Sequence, residues 1–180
     1  MTSITYIAFL RGINVGGNNI IKMTLLKETF ERCGYKNVST YIQSGNVIFE
    51  SEEKNTQKIT NDLENELSKT FAYKAKLVIL SHGELMSVLT NTPKEWKTSK
   101  DFRCYVAFTK EPVTPDEVIK EVKLKEGIDF IKSGTNVVYM STLLSGLTKS
   151  GFTRLIGTKV YQYITIRNYN TIQKILSLMG

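Results

Sequence analysis

Apolar and polar positions along this chain switch between two periods, and the switches mark its elements. Thr5 to Leu10 (T-Y-I-A-F-L) is a nearly unbroken β-branched and aromatic run, which predicts a buried strand. A glycine- and asparagine-rich loop follows from Arg11 to Asn19. Met23, Leu26, Phe30 and Cys33 then recur at helical spacing, with Gly34 as the stop. Val38 to Glu50 reads as a hairpin turning at Ser44-Gly45-Asn46. Ile59, Leu63, Leu67 and Phe71 make one face of a second helix, Ala75 to Leu80 a strand, and Glu84 to Leu89 a short helix. Asn91-Thr92-Pro93 closes the segment, and a polar connector runs to about Asp101.

The pattern then starts again. Cys104 to Thr109 (C-Y-V-A-F-T) echoes Thr5 to Leu10 at an offset of 99 residues. Thr114-Pro115-Asp116-Glu117 combines a capping box with proline at the first helical position. Ile131 to Tyr139 echoes the Ile42 to Phe49 hairpin, Gly134 falling 89 residues after Gly45, with Ser133 in the turn as Ser44 is in the first. A helix-like stretch from Lys149 to Ile156, a strand from Val160 to Ile166 and a last helix with Ile172, Ile175, Leu176 and Met179 on one face complete the chain. Each half reads β-α-β-β-α-β-α, and its first six elements are the split βαβ order of ferredoxin-like domains. The predicted fold is α+β: an internal duplication of two ferredoxin-like halves (βαββαβ plus an extra helix) with antiparallel sheets, residues 1–93 and 101–180.

Composition narrows the class. With 180 residues, 41% of them hydrophobic and 23% charged, the chain buries a core without staples. No apolar run approaches the roughly 18 residues of a membrane-spanning helix. The first apolar run lacks a basic leader and ends at Arg11, so it is a strand and not a signal peptide. Cys33 and Cys104 stand alone beside a single histidine, His82. That spacing excludes a disulfide framework and a zinc site, predicts no metal and no cofactor, and places the chain in the reducing cytoplasm.

Charge adds a direction. The net charge is +7, yet residues 1–27 and 130–180 hold nine cations and no acid, leaving the middle at −2. Only five cations are arginines, and three of them, Arg11, Arg154 and Arg167, lie in these acid-free ends. Arginine grips phosphate with a planar fork that lysine lacks. If the ends come together, they form a positive face suited to phosphate or a polyanion. The plainer alternative is a solvated basic surface.

Three segments are candidates for phosphate binding. Arg11-Gly12-Ile13-Asn14-Val15-Gly16-Gly17 runs from strand to helix, where freed backbone N–H groups cradle anions, and Lys22 lies just beyond it. It matches neither G-x-G-x-x-G nor a P-loop, and its glycines also suit a surface turn. Arg167, Asn168 and Asn170 open the last helix, one asparagine being a natural N-cap. Lys149 lies in a flexible hydroxyl-rich loop, Ser145 to Gly151. The named candidates are thus Arg11, Gly12, Asn14, Gly16, Gly17, Lys22, Lys149, Arg167, Asn168 and Asn170. No catalytic set emerges, because His82 has no nucleophile or carboxylate at a recognisable spacing.

L-R-G-I-N-V-G-G at Leu10 to Gly17, Met23, T-Y-I-Q-S-G-N-V-I-F at Thr40 to Phe49 and R-N-Y-N-T-I at Arg167 to Ile172 together resemble the bacterial family known as domain of unknown function 1697. Tyr169 stands where that family carries tryptophan. The resemblance implies a two-part α+β fold with ferredoxin-like halves and implies no activity. The leading expectation is a binding protein for phosphate-bearing partners, nucleic acid first, and not for membranes. Gly45 to Glu50 is similar to the third strand of RNA-recognition modules, which requires aromatics such as Tyr6, Phe49 and Tyr139 on an open sheet face. The alternatives are an enzyme or sensor for a small phosphorylated metabolite or nucleotide, and a structural or protein-interaction module.

Overall fold

Four strands form around the first apolar run: β1 (Ile4–Leu10), β2 (Lys36–Tyr41), β3 (Asn46–Ser51) and β4 (Leu77–Ser81). The computed structural model, which describes residues 3–180, pairs them antiparallel in the order β2-β3-β1-β4. Tyr6, Ala8 and Leu10 of β1 and Val47 and Phe49 of β3 pack against α1 (Met23–Arg32) and α2 (Thr56–Phe71) through Leu26, Phe30, Ile59, Leu63 and Leu67. By the two-residue period of a strand, Ile7, Phe9 and Ile48 point the other way. They too are buried, at no more than 5% exposure. Burial on both faces is why β1 reads as a continuous apolar run and not as an alternation.

The second set comprises β5 (Phe102–Thr109), β6 (Asp129–Gly134), β7 (Val137–Leu143) and β8 (Ile164–Asn168), antiparallel in the order β6-β7-β5-β8. The remaining helices are α3 (His82–Thr90), α4 (Glu95–Thr98), α5 (Pro115–Glu121) and α6 (Tyr169–Leu178). α5 carries the expected start: Thr114 accepts from Glu117 N, Glu117 answers back, and Pro115 sits in the first turn. Packing divides the chain into two compact units, Met1–Met86 with Ile175–Gly180, and Ser87–Lys174. The protein is therefore mixed α+β with two four-stranded antiparallel sheets.

The two sheets share one register. Leu10 N donates to Gly45 O and Arg11 N to Lys76 O; Thr109 N donates to Asn136 O and Lys110 N to Tyr163 O. Leu10 thus corresponds to Thr109 at the expected offset of 99, but Gly45 corresponds to Asn136 and not to Gly134. Both are left-handed, at φ 75° and 55°. The first hairpin spends four residues, Ile42 to Gly45, where the second spends Thr135 and Asn136. Ser133 and Gly134 are therefore in strand β6, and the Ser133 hydroxyl donates to Asp116. Matching the two Ser-Gly pairs by sequence slips the alignment by two residues.

Two further expectations are corrected. Between β7 and β8 the chain takes three 3₁₀ turns, Leu144–Lys149, Gly151–Gly157 and Lys159–Tyr163, so the predicted strand from Val160 begins only at Ile164. Leu144 with Leu147 and Phe152 with Leu155 are three apart, the 3₁₀ repeat, and glycines punctuate the stretch. The buried Asp129 carboxylate anchors it, accepting from Gly151 N (2.7 Å), Lys125 N (2.9 Å), Ser150 Oγ (2.7 Å) and Thr142 Oγ1 (2.9 Å). Burial pushes this carboxyl upward, but the four hydrogen bonds outweigh it and hold it below the ordinary aspartate range. The supposed polar connector before Asp101 contains α4, whose Trp96 is buried edge-to-face against Tyr139 and Tyr169.

Candidate functional site

The Arg11 to Asn19 stretch folds into a small finger. Asn14 N donates to Asn19 O (3.2 Å) and Asn18 N to Val15 O (3.0 Å), with Gly16 and Gly17 closing the end at φ 58° and 77°. Positive φ at both central positions is the type I′ hairpin pattern, which glycine adopts without steric cost. Asn14, itself at φ 54°, fixes the finger's base. Its Nδ2 donates to Ile21 O (3.0 Å) and Gln43 O (2.8 Å), while Oδ1 accepts from Ile21 N (2.8 Å). Asn19 Nδ2 closes back on Gly12 O (2.8 Å).

The finger is thereby pinned to the first hairpin turn. At Gly45 a Cβ would lie 2.7 Å from Ile13 Cδ1, so only glycine lets the two loops meet this closely. Ile42, beside Gln43, is held at φ 50°, an outlier for a β-branched residue. Asn46 holds the turn around it, donating from Nδ2 to Tyr41 O (2.9 Å) and Ser44 Oγ (3.0 Å). Residues 1–27 and 33–49 contain no acid, so finger and turn carry Arg11 and Lys22 with no carboxylate. Lys22 is the exposed N-cap of α1 and gives that helix no side-chain cap.

Arg11, Gly12, Asn14, Gly16, Gly17 and Lys22 thus come together on one loop. The other candidates lie in the second unit on separate elements. Lys149 is exposed at the end of the first 3₁₀ turn. Arg167, on β8, is only 9% exposed; burial lowers its guanidinium to about 10, its Nη1 donates to Ile166 O (3.0 Å), and it is not a free cation. Asn168 Oδ1 accepts from Asn170 N (2.9 Å), a local cap for α6. Tyr6, Phe49 and Tyr139 are all buried, at 2% exposure or less, so the sheet offers none of these rings to stack on bases.

Sequence reasoning missed two features. Val15, Ile20 and Ile42 are 64%, 78% and 48% exposed on the finger and turn. Their only signal in the sequence was β-branched residues among glycines and asparagines. The second is a cleft of about 420 Å³ at the opposite end of the first sheet, lined by Cys33, Tyr35, Lys36, Glu50, Glu52, Glu53, Lys58 and Asp62. Its lysines are paired, Lys36 with Glu52 and Lys58 with Glu53 and Asp62. An acid excess makes it unsuited to phosphate. Burial, chiefly, and the nearby Glu66 and Asp62 push the Cys33 thiol above its usual range, away from the reactive thiolate. Among the described residues no group of three or more His, Cys, Asp or Glu is arranged to hold a metal, and no helix is long and apolar enough to cross a membrane.

Fold and loop together define a mixed α+β protein with two antiparallel sheets and a basic, asparagine-stapled finger on the first. The chain belongs to the family described as protein of unknown function (DUF1697), whose model matches residues 3–139. Among solved structures it is similar to the conserved bacterial protein SP0830 from Streptococcus pneumoniae. The two are 27% identical with a TM-score of 0.86, over 99% of this chain and 100% of that one. No curated protein matches.

Proposed function

We propose that the protein binds a phosphate-bearing partner, nucleic acid first, through the finger of Arg11, Gly12, Asn14, Gly16 and Gly17 together with Lys22. The observation that carries this is the loop pair itself, whose own residues include Arg11, Lys22 and an exposed glycine turn and no Asp or Glu. Lys149 stands exposed on an acid-free stretch of the second unit, where Asn168 caps the start of α6 through Asn170 N and Arg167 is buried. We also propose that the chain arose by duplication of a ferredoxin-like unit, 1–93 and 101–180, and works in the cytoplasm. The shared strand order and hydrogen-bond register support that origin.

The test is a salt titration of binding to labelled oligonucleotides by fluorescence anisotropy. Log K falls with log salt, and Arg11→Ala and Lys22→Ala each lower the slope by about 0.7 on a single strand if each meets one phosphate. Unchanged melting temperatures separate these effects from unfolding. Absence of binding to any oligonucleotide or to polyphosphate at low salt refutes the proposal.

A further inference from the structure

We infer that the finger and the adjoining turn hold unpaired bases, so that the partner is single-stranded nucleic acid; this deepens the phosphate-binding reading and rests on it. Phosphate alone has no use for the aliphatic side chains this loop pair presents. Val15 flanks the glycine turn, Ile20 follows Asn19 at the finger's base, and Ile42 precedes Gln43, whose backbone O accepts from Asn14. Each keeps roughly half or more of its surface in water. Ile42 does so in a left-handed conformation that costs a β-branched residue free energy, and such strain persists where the surroundings impose it. Arg11 precedes the finger and Lys22 follows Ile20 by two residues. The loop pair therefore combines exposed aliphatic side chains with cations.

A backbone-tracking duplex binder needs only the cations. A single strand offers phosphates to the cations and the apolar faces of splayed bases to Val15, Ile20 and Ile42. The exposed amides of Asn18 and Gln43 beside these side chains match base edges, which present paired donors and acceptors.

The experiment compares a dT12 strand, a 12-base-pair duplex, polyphosphate and phosphatidylserine vesicles against the full chain and the variant Val15→Ser/Ile20→Ser. Both positions are too exposed for the change to unfold the protein, which a melting curve confirms. The single strand should bind at least about tenfold more tightly than the duplex, and the variant should lose about tenfold on the strand, from the apolar area no longer buried. Its polyphosphate affinity and salt slope should stay as in the parent. If strand, duplex and polyphosphate bind alike and the variant changes nothing, this inference falls while the phosphate reading stands. If only vesicles bind and the variant loses them, the partner is a lipid surface and the inference is wrong. If polyphosphate and both nucleic acids fail to bind, the phosphate reading falls with it.

Discussion

Gly151 shows how much one residue without a side chain can carry. A Cβ there would lie 1.7 Å from Lys123 O, a backbone atom that cannot swing aside. Its N–H is also one of the four donors that hold Asp129. Gly151→Ala should therefore cost about 3 kcal/mol or more, read as a lower urea midpoint. Asp129 makes a second prediction, in pH. Its folded carboxyl titrates below its unfolded value, so its stabilising contribution is complete above about pH 4 and is lost as the pH falls through the folded value. Denaturation curves from pH 7 to pH 2 should show the gap between the parent and Asp129→Asn closing only below about pH 4. A gap that stays constant to pH 2 would remove the assignment.

At the scale of the element, the regular pieces were legible and the irregular ones were not. Leu26 and Phe30 in α1 and Ile59, Leu63 and Leu67 in α2 declare their helices because an apolar stripe at helical spacing has one way to reach a core. The Thr114 cap was readable for the same reason: its bonds are local. The 3₁₀ stretch after β7 was not, because Asp129, more than a dozen residues upstream, holds Ser150 and Gly151 in place. Trp96 reads as part of a connector because its ring neighbours, Tyr139 on β7 and Tyr169 on α6, are distant in sequence. Lys22 supplies the prediction at this scale. A cation at an uncapped helix start opposes the helix dipole, so Lys22→Asp should stabilise the protein by about 1 kcal/mol in thermal melts. The same change should weaken oligonucleotide binding. A stabilised variant that binds as well as the parent would detach Lys22 from the site.

For the whole molecule, the repeat was visible in the strands, whose buried faces demand β-branched and aromatic residues in both halves. It blurred in the turns, where Gly45 and Asn136 meet one left-handed requirement with different residues. The sequence repeat and the packed units also divide the chain differently, since Ile175–Gly180 belongs to the first compact unit. One halves the chain by proposed descent and the other by cohesion. The candidate site was half legible: glycines and cations announced the finger, while the outward-facing aliphatic side chains needed coordinates.

The four-residue turn at Ile42 to Gly45 then acquires a practical meaning. Its counterpart joins equivalent strands with Thr135 and Asn136 alone, so a chimera carrying the shorter linker in both places would retain each ladder while erasing the shelf on which the finger rests. Such a trimmed chain would keep the scaffold and remove only the proposed grip.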